Sequence, residues 1–317
     1  LSRILLTGAG GFIGRALVEF LRRSGDTVIA VVRSAQELAT AEVLQIRDIR
    51  TAEWSQALKG VETVIHLAGR AHILKERNAS PLAEFRSVNV QPTADLFRAC
   101  QRTGVERLIF VSSIGVNGTF TQGQAFRETD PARPLEPYAI SKWEAEESLR
   151  ALHVANSTKL IVVRPSLIYG SHAKGNLLRL MRWIDTGWPL PLGALNAKRT
   201  FLGLTSFCDL LKKCASIPFE HEQLFVAGDD RPVGTDEFIA ALATAMNVKV
   251  RLLRFPVKML GMIAGSINRR AEFERLSGSL EVDSSRARAV LGWRSPALGT
   301  DLQIMADIYC RTKYASR

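Results

Sequence analysis

Apolar residues fall in short unbroken runs through the first half of the chain, at residues 4–6, 27–32, 61–67, 108–112 and 160–163. Runs of this length, bounded by turn residues, read as strands buried on both faces. Between them lie segments with helical spacing, roughly 83–103 and 138–153. Strands alternating with helices predict an α/β fold with a doubly wound parallel sheet. In such a sheet ligands sit beyond the carboxyl ends of the strands, so the residues after each apolar run are the ones to search for chemistry.

After about Pro165 the rhythm changes. Gly, Pro and Asn become frequent through Gly187-Trp188-Pro189-Leu190-Pro191-Leu192-Gly193, and helical patterns return near 206–215 and 236–246. Leu224-Phe225-Val226-Ala227-Gly228 reads as one more buried strand. The prediction is a Rossmann-type domain over 1–165 and a smaller, mostly helical substrate domain over 166–317, with the chain returning to the first domain around 200–227. Residues 255–265 are apolar but short and interrupted by Lys258, which predicts a packed helix, with a membrane-surface contact as the alternative. No apolar run reaches the ~18 residues that a membrane span requires, so no stable membrane insertion is expected.

Two runs carry candidate chemistry. Thr7-Gly8-Ala9-Gly10-Gly11-Phe12-Ile13-Gly14 follows Ile4-Leu5-Leu6 directly and leads into the amphipathic Arg15-Ala16-Leu17-Val18-Glu19-Phe20-Leu21. Glycines at 8, 11 and 14, between a strand and a helix N-terminus, describe a dinucleotide phosphate cradle. Backbone N–H groups and the positive helix end face an anion, and the missing Cβ atoms let a pyrophosphate approach. The second run is Tyr138-Ala139-Ile140-Ser141-Lys142, whose Tyr and Lys share one helix face. An adjacent ammonium and an oxidised nicotinamide are expected to lower the phenol pKa from ~10. Such a tyrosine exchanges a proton with a hydroxyl or carbonyl while hydride moves. Phe110-Val111-Ser112-Ser113 ends an apolar strand 25 residues before Tyr138. Its serines mark either a plain turn or an active hydroxyl, and Ser113 is narrowly preferred to Ser112.

Composition narrows the classes. The chain has 317 residues and a net charge of +11. Its Lys and Arg look scattered, which reads as a basic solvated surface with some arginines reserved for small anions rather than as a nucleic-acid binder. Cys100, Cys208, Cys214 and Cys310 show no metal-ligand spacing and read as reduced thiols of a cytoplasmic protein. The chain enters a strand almost at once, so no signal peptide is expected. His72, His153, His172 and His221 are isolated, and no metal is expected. Trp183, Trp188 and Trp293 are expected to pack or to line a sugar pocket.

Taken in order along the whole chain, these runs resemble an extended short-chain dehydrogenase/reductase of the NAD-dependent epimerase/dehydratase group, which modifies nucleotide sugars. Gly8, Gly11, Phe12, Ile13 and Gly14 match its glycine motif. Asp48-Ile49 resembles its adenine pair, and His66-Leu67-Ala68-Gly69 its cofactor-lining segment, with His66 structural. Asn89 resembles its helix asparagine, and Arg164-Pro165-Ser166 completes the set. The resemblance implies that Ser113, Tyr138 and Lys142 are catalytic, that Lys142 also binds the nicotinamide ribose, and that Pro165 lies at the cofactor. Arg33, followed by Ser34, stands 19 residues past Gly14 where an acidic residue would grip the ribose of NAD. A cation and a hydroxyl there suit the 2′-phosphate of NADP, so the cofactor is read as NADP or NAD. Asn176, Arg199 and Arg275 are implied substrate residues, the arginines on a diphosphate.

Val116-Asn117-Gly118 replaces the group's frequent Tyr-Gly ending. With residues 176–180 and 275–280 this resembles a bacterial subgroup that reduces UDP-4-keto-6-deoxy-N-acetylhexosamines for surface polysaccharides such as O-antigen. The implied activity is reduction at C4 of a UDP-sugar. A UDP-glucose or UDP-N-acetylglucosamine 4-epimerase is the alternative. Ile114-Gly115 after Ser113 argues against a dehydratase. A non-catalytic NAD(P) sensor generally lacks the tyrosine that is retained here. The helices around 83–103 and 138–153 resemble those that pair the family's homodimers.

Overall fold

The computed structural model describes residues 2–34, 42–71, 80–153, 157–173, 175–266 and 270–315. His72 lies outside them. The chain opens β1 (Arg3–Thr7), α1 (Phe12–Arg23), β2 (Thr27–Val32), β3 (Glu42–Gln45), β4 (Thr63–His66), α2 (Pro81–Asn89), α3 (Gln91–Thr103), β5 (Arg107–Val111), α4 (Pro137–Leu152) and β6 (Lys159–Pro165). It continues β7 (Leu167–Tyr169), α5 (Asn176–Asp185), β8 (Lys198–Arg199), β9 (Phe201–Gly203), α6 (Leu204–Ser216), β10 (Gln223–Ala227), β11 (Val233–Gly234), α7 (Thr235–Ala245), α8 (Val257–Ser266), α9 (Arg270–Ser277), α10 (Ser285–Leu291) and α11 (Thr300–Ala315).

Seven strands form one parallel sheet in the order β10-β6-β5-β4-β1-β2-β3. The uninterrupted apolar runs are explained by alternation between two cores. Leu5, Ile29, Val64, Leu108 and Leu160 enter one, with α3 and α4. Leu6, Ala30, Ile65, Ile109 and Ile161 enter the other, with α1, α6 and α10. A third core joins β7, β9, α5, α7 and α11 around Tyr169, Phe201, Phe238 and Met305. The strand order reverses beside β1, which opens a crevice at the carboxyl ends of β1 and β4.

One sequence expectation is corrected and one refined. The helix read over 83–103 is two helices broken at Val90, because Pro92 has no N–H with which to continue the ladder. Residues 255–265 do contain the expected helix, α8, but it packs on one side only, against α9, and fully buries none of its residues.

Candidate active site

The glycine loop is shaped by close backbone approach. Gly8 has φ +73°, and a Cβ there would lie 2.8 Å from the Ala68 nitrogen. A Cβ on Gly14 would lie 2.2 Å from the Gly8 carbonyl oxygen and 2.7 Å from Ala9 Cα. Gly11 caps α1 without a side chain, and the first turn holds no acidic residue. The positive helix end therefore faces the crevice with no carboxylate of its own first turn to neutralise it. Gly11 is exposed, while Phe12 and Ile13 are half-buried beside it.

Register puts Thr7, His66 and Phe110 in one row across β1, β4 and β5. His66 is buried and its hydrogen bonds fix a proton order. The Thr93 hydroxyl donates to the Asn89 carbonyl at 2.7 Å, so it accepts from His66 Nε2–H at 2.9 Å. A neutral imidazole has one N–H, so Nδ1 accepts from the Thr7 hydroxyl at 2.7 Å, and Thr7 Oγ1 accepts Ala68 N–H at 3.1 Å. Burial, aided by the Lys142 charge, holds the imidazole down at about 3.

Asn89 is 1% exposed, and its amide is committed to the chain. Its Oδ1 accepts Arg70 N–H at 2.7 Å, and Nδ2 donates to the Arg70 carbonyl and to Ser141 Oγ. Ser141 in turn donates to the Tyr138 carbonyl. Leu67, Ala68 and Gly69, at the crevice mouth, are thus tied to α4 through Asn89 rather than by a contact of its own with the crevice.

Tyr138 and Lys142 lie one turn apart on α4. Lys142 is buried, with Nζ 3.9 Å from the centre of the Phe110 ring. Burial pulls its ammonium down to about 7 against the opposing pull of Glu146. Tyr138 is half-buried, meets Phe85 edge-on, and is pushed up to about 12 by burial. The expected lowering counts an oxidised nicotinamide as well; in the chain alone, desolvation raises the phenol.

The two serines separate cleanly. Ser112 is buried and donates to Glu146 at 2.5 Å. Glu146 is also held by Arg164 through two hydrogen bonds, and Arg164 reaches Asn117. Ser113 is half-buried, accepts Gly115 N–H at 3.1 Å, and starts a short 3-10 turn, Ile114–Val116, against α4. A Cβ on Gly115 would lie 3.3 Å from Ala139 Cβ and 3.4 Å from Ser113 Oγ, so Ser113 sits beside the first turn of α4. Neither Thr7, Thr93 and Ser141 nor the buried Glu146–Arg164 pair was foreseen. A signal existed for one of them: Glu146 follows Lys142 at helical spacing.

The remaining residues vary. Arg33 is exposed beyond β2. Asp48 is bound through both oxygens by Arg50, which holds its carboxyl at about 2, and Ile49 packs on the α3–α4 core. Pro165 ends β6 and is buried. Asn176 is exposed at the start of α5. Arg199 is half-buried and, among the described residues, its guanidinium has no hydrogen-bond or ion-pair partner. Arg275 pairs with Glu136 at 3.0 Å, two residues before Tyr138. Trp293 is buried and donates to the Ser206 carbonyl, whereas Trp183 and Trp188 are exposed. Among the described residues no group of His, Cys, Asp or Glu is arranged for a metal.

The glycine loop follows β1, Ser113 follows β5, and Tyr138 and Lys142 lie on α4, whose first turn Ser113 adjoins; the family profile described as "NAD dependent epimerase/dehydratase family" matches residues 4–213. The chain belongs to that family. A Vibrio cholerae UDP-glucose 4-epimerase is 35% identical to this family member over 300 residues, 92% of this chain and 90% of the relative. An Escherichia coli O157:H7 N-acetyl-α-D-glucosaminyl-diphospho-ditrans,octacis-undecaprenol 4-epimerase is 29% identical, covering 83% and 78% of the two chains. Among solved structures, MoeE5 in complex with UDP-glucuronic acid and NAD superposes with a TM-score of 0.78 at 26% identity, over 98% of this chain and 99% of that one. The enzyme family is therefore one of NAD-dependent enzymes of nucleotide sugars, built on the fold seen here.

Proposed function

We propose that the protein is an NAD(P)-dependent enzyme acting at C4 of a UDP-sugar, and that it interconverts C4 epimers. The observation that carries this reading is Ser113, just past β5, beside the first turn of the helix that bears Tyr138 and Lys142, together with a loop after β1 where a Cβ at Gly8 or Gly14 would clash. The likeness to a UDP-glucose 4-epimerase across nearly the whole chain supports it.

A bound nicotinamide cofactor would supply the hydride acceptor and donor for C4. Gly8, Gly11, Phe12, Ile13 and Gly14 would hold its pyrophosphate, and Arg33, Asp48 and Ile49 its adenosine. Leu67, Ala68, Gly69 and Pro165 would line its path. Asn89 acts by holding 67–70 in place. Tyr138 takes the proton of the C4 hydroxyl and returns it, and Ser113 hydrogen-bonds the same oxygen. Lys142 supplies positive charge to the phenol and binds the nicotinamide ribose. Arg199 would bind the sugar-nucleotide diphosphate with Asn176 nearby, and Arg275 joins once it leaves Glu136. The family analogy further makes the protein a homodimer through α3 and α4; a monomer mass by light scattering would remove that expectation.

The test is direct. Purified protein incubated with UDP-glucose or UDP-N-acetylglucosamine should yield the C4 epimer by proton NMR, and Tyr138→Phe should lower the rate about 10²–10⁴-fold. Exposed Arg33 beyond β2 favours a second reading, reduction of a UDP-4-keto-6-deoxy-N-acetylhexosamine with NADPH. Oxidation of NADPH by that sugar, with no epimer formed from UDP-sugars, would replace the first reading by the second.

A further inference from the structure

Helix α8 turns its apolar face outward. Met259, Met262 and Ile263 are 45%, 67% and 50% exposed. Their spacing puts them on one side of the helix. The opposite side packs on α9, where a Cβ on Gly261 would lie 3.2 Å from the Phe273 ring. Leu253, just before the helix, is 51% exposed. A soluble helix ordinarily shows the reverse arrangement, with its polar stripe in water.

The charge around it is equally one-sided. Residues 238–271 contain no Asp or Glu but hold Lys249, Arg251, Arg254, Lys258, Arg269 and Arg270, six of the chain's net eleven positive charges. Arg254 and Lys258 are exposed, and Lys258 stands one turn from Met262. Arg270 pairs with Glu274 and is discounted. The cations expected to be scattered are thus unbalanced by acids along this stretch.

We propose that α8 docks the protein on the surface of an anionic lipid bilayer, its apolar side entering the interface and Lys258 and Arg254 meeting lipid phosphates. Apolar side chains with basic neighbours on a short helix are the pattern of an interfacial anchor. Among the described residues no helix is long and apolar enough to cross a membrane, so the contact is peripheral. A second copy is the poorer occupant, because pairing two α8 faces would bring two acid-free basic segments together. The proposal stands apart from the sugar reaction. It does have a spatial consequence: α8 packs on α9, and α9 reaches the start of the catalytic helix through Arg275 and Glu136.

The experiment is co-sedimentation of the full chain with vesicles of phosphatidylglycerol and phosphatidylcholine, against phosphatidylcholine alone. Binding to the anionic vesicles only, weakened by salt, is expected. Lys258→Ala should weaken it about fivefold, the worth of one cation at an anionic surface. The double variant M262D/I263D should abolish it while leaving the thermal melt and the activity on a soluble UDP-sugar unchanged. Absence of binding to anionic vesicles overturns the proposal. So does equal binding by M262D/I263D and the parent, or a dimer that M262D/I263D splits in the absence of any vesicle binding.

Discussion

The buried imidazole of His66 makes a quantitative prediction about acid stability. Its two nitrogens are committed in a fixed order between Thr7 and Thr93, and it is 1% exposed. Burial, with Lys142 adding to it, lowers its pKa from 6.5 to about 3. The unfolded chain therefore binds a proton from pH 6.5 downward that the folded chain refuses. Stability from this group is complete above 6.5 and is lost as pH falls toward 3. Between pH 6.5 and 4.5 the loss is about 1.4 kcal/mol per unit, or about 3 kcal/mol in all. That is a large fraction of the 5–15 kcal/mol, roughly, that a folded domain has. The matched variant is His66→Gln, whose amide can both accept from Thr7 and donate to Thr93 but does not titrate.

Urea unfolding at a series of pH values would measure both proteins. The variant should begin less stable at pH 7.5, by about 1–3 kcal/mol for imperfect hydrogen bonds. It should then lose less on acidification, so that the two curves converge or cross by pH 4.5. Carboxylates titrate in both proteins and cancel in the difference. Parallel curves between pH 7.5 and 4.5 would refute the proton order drawn for Thr7, His66 and Thr93.

Other predictions follow from single atoms. Gly14→Ala gains about 1 kcal/mol of helix propensity but drives a Cβ into the Gly8 carbonyl, and should lose about 1–3 kcal/mol net together with retained dinucleotide; Gly265→Ala, with nothing within 4 Å, should stabilise instead, and calorimetry compares the pair. Arg199→Gln should leave the melting temperature unchanged or higher, since it removes a desolvated cation without a partner, while KM for a UDP-sugar rises about 10–100-fold, the worth of a charged hydrogen bond. Asp229 accepts from Tyr169, Ser295 and Gly203 N–H, and burial pushes it up to about 6, so its contribution is full below about 4 and falls as pH rises through 6. Asp229→Asn should therefore gain on the parent between pH 4 and 8 by up to about 3 kcal/mol in thermal melts.

How legible each part was follows from how local its cause is. Gly8 and Gly14 could be read because the backbone contacts that demand glycine involve positions 8, 9 and 68, and the loop is continuous with a strand and a helix. The sheet could be read because each strand's alternate residues enter two cores. The break at Val90 was missed because the apolar spacing continues across it and only Pro92 interrupts the ladder. The commitments of Asp48 to Arg50, Arg275 to Glu136 and Asn89 to Arg70 and Ser141 were hidden for another reason. A residue type states what it can bind, whereas its partner depends on which segments the fold brings together. The outward face of α8 was hidden because an apolar spacing of three and four is the same whether it faces a core or water.

The Tyr138–Lys142 pair shows what the fold contributes beyond spacing. Spacing alone suggests an ammonium that stabilises a phenolate. Instead, burial moves both groups toward neutrality, the amine to about 7 and the phenol to about 12. The Phe110 ring beneath Nζ and the Glu146 carboxylate one turn on are the features that favour a charged Lys142 against this burial. Glu146 is itself fixed by Arg164 and by Ser112, the residue just past β5 and before Ser113. The fold therefore supports the amine's charge from below, through β5, β6 and α4, while burial holds the phenol neutral. In the chain alone, burial therefore favours the proton on Tyr138.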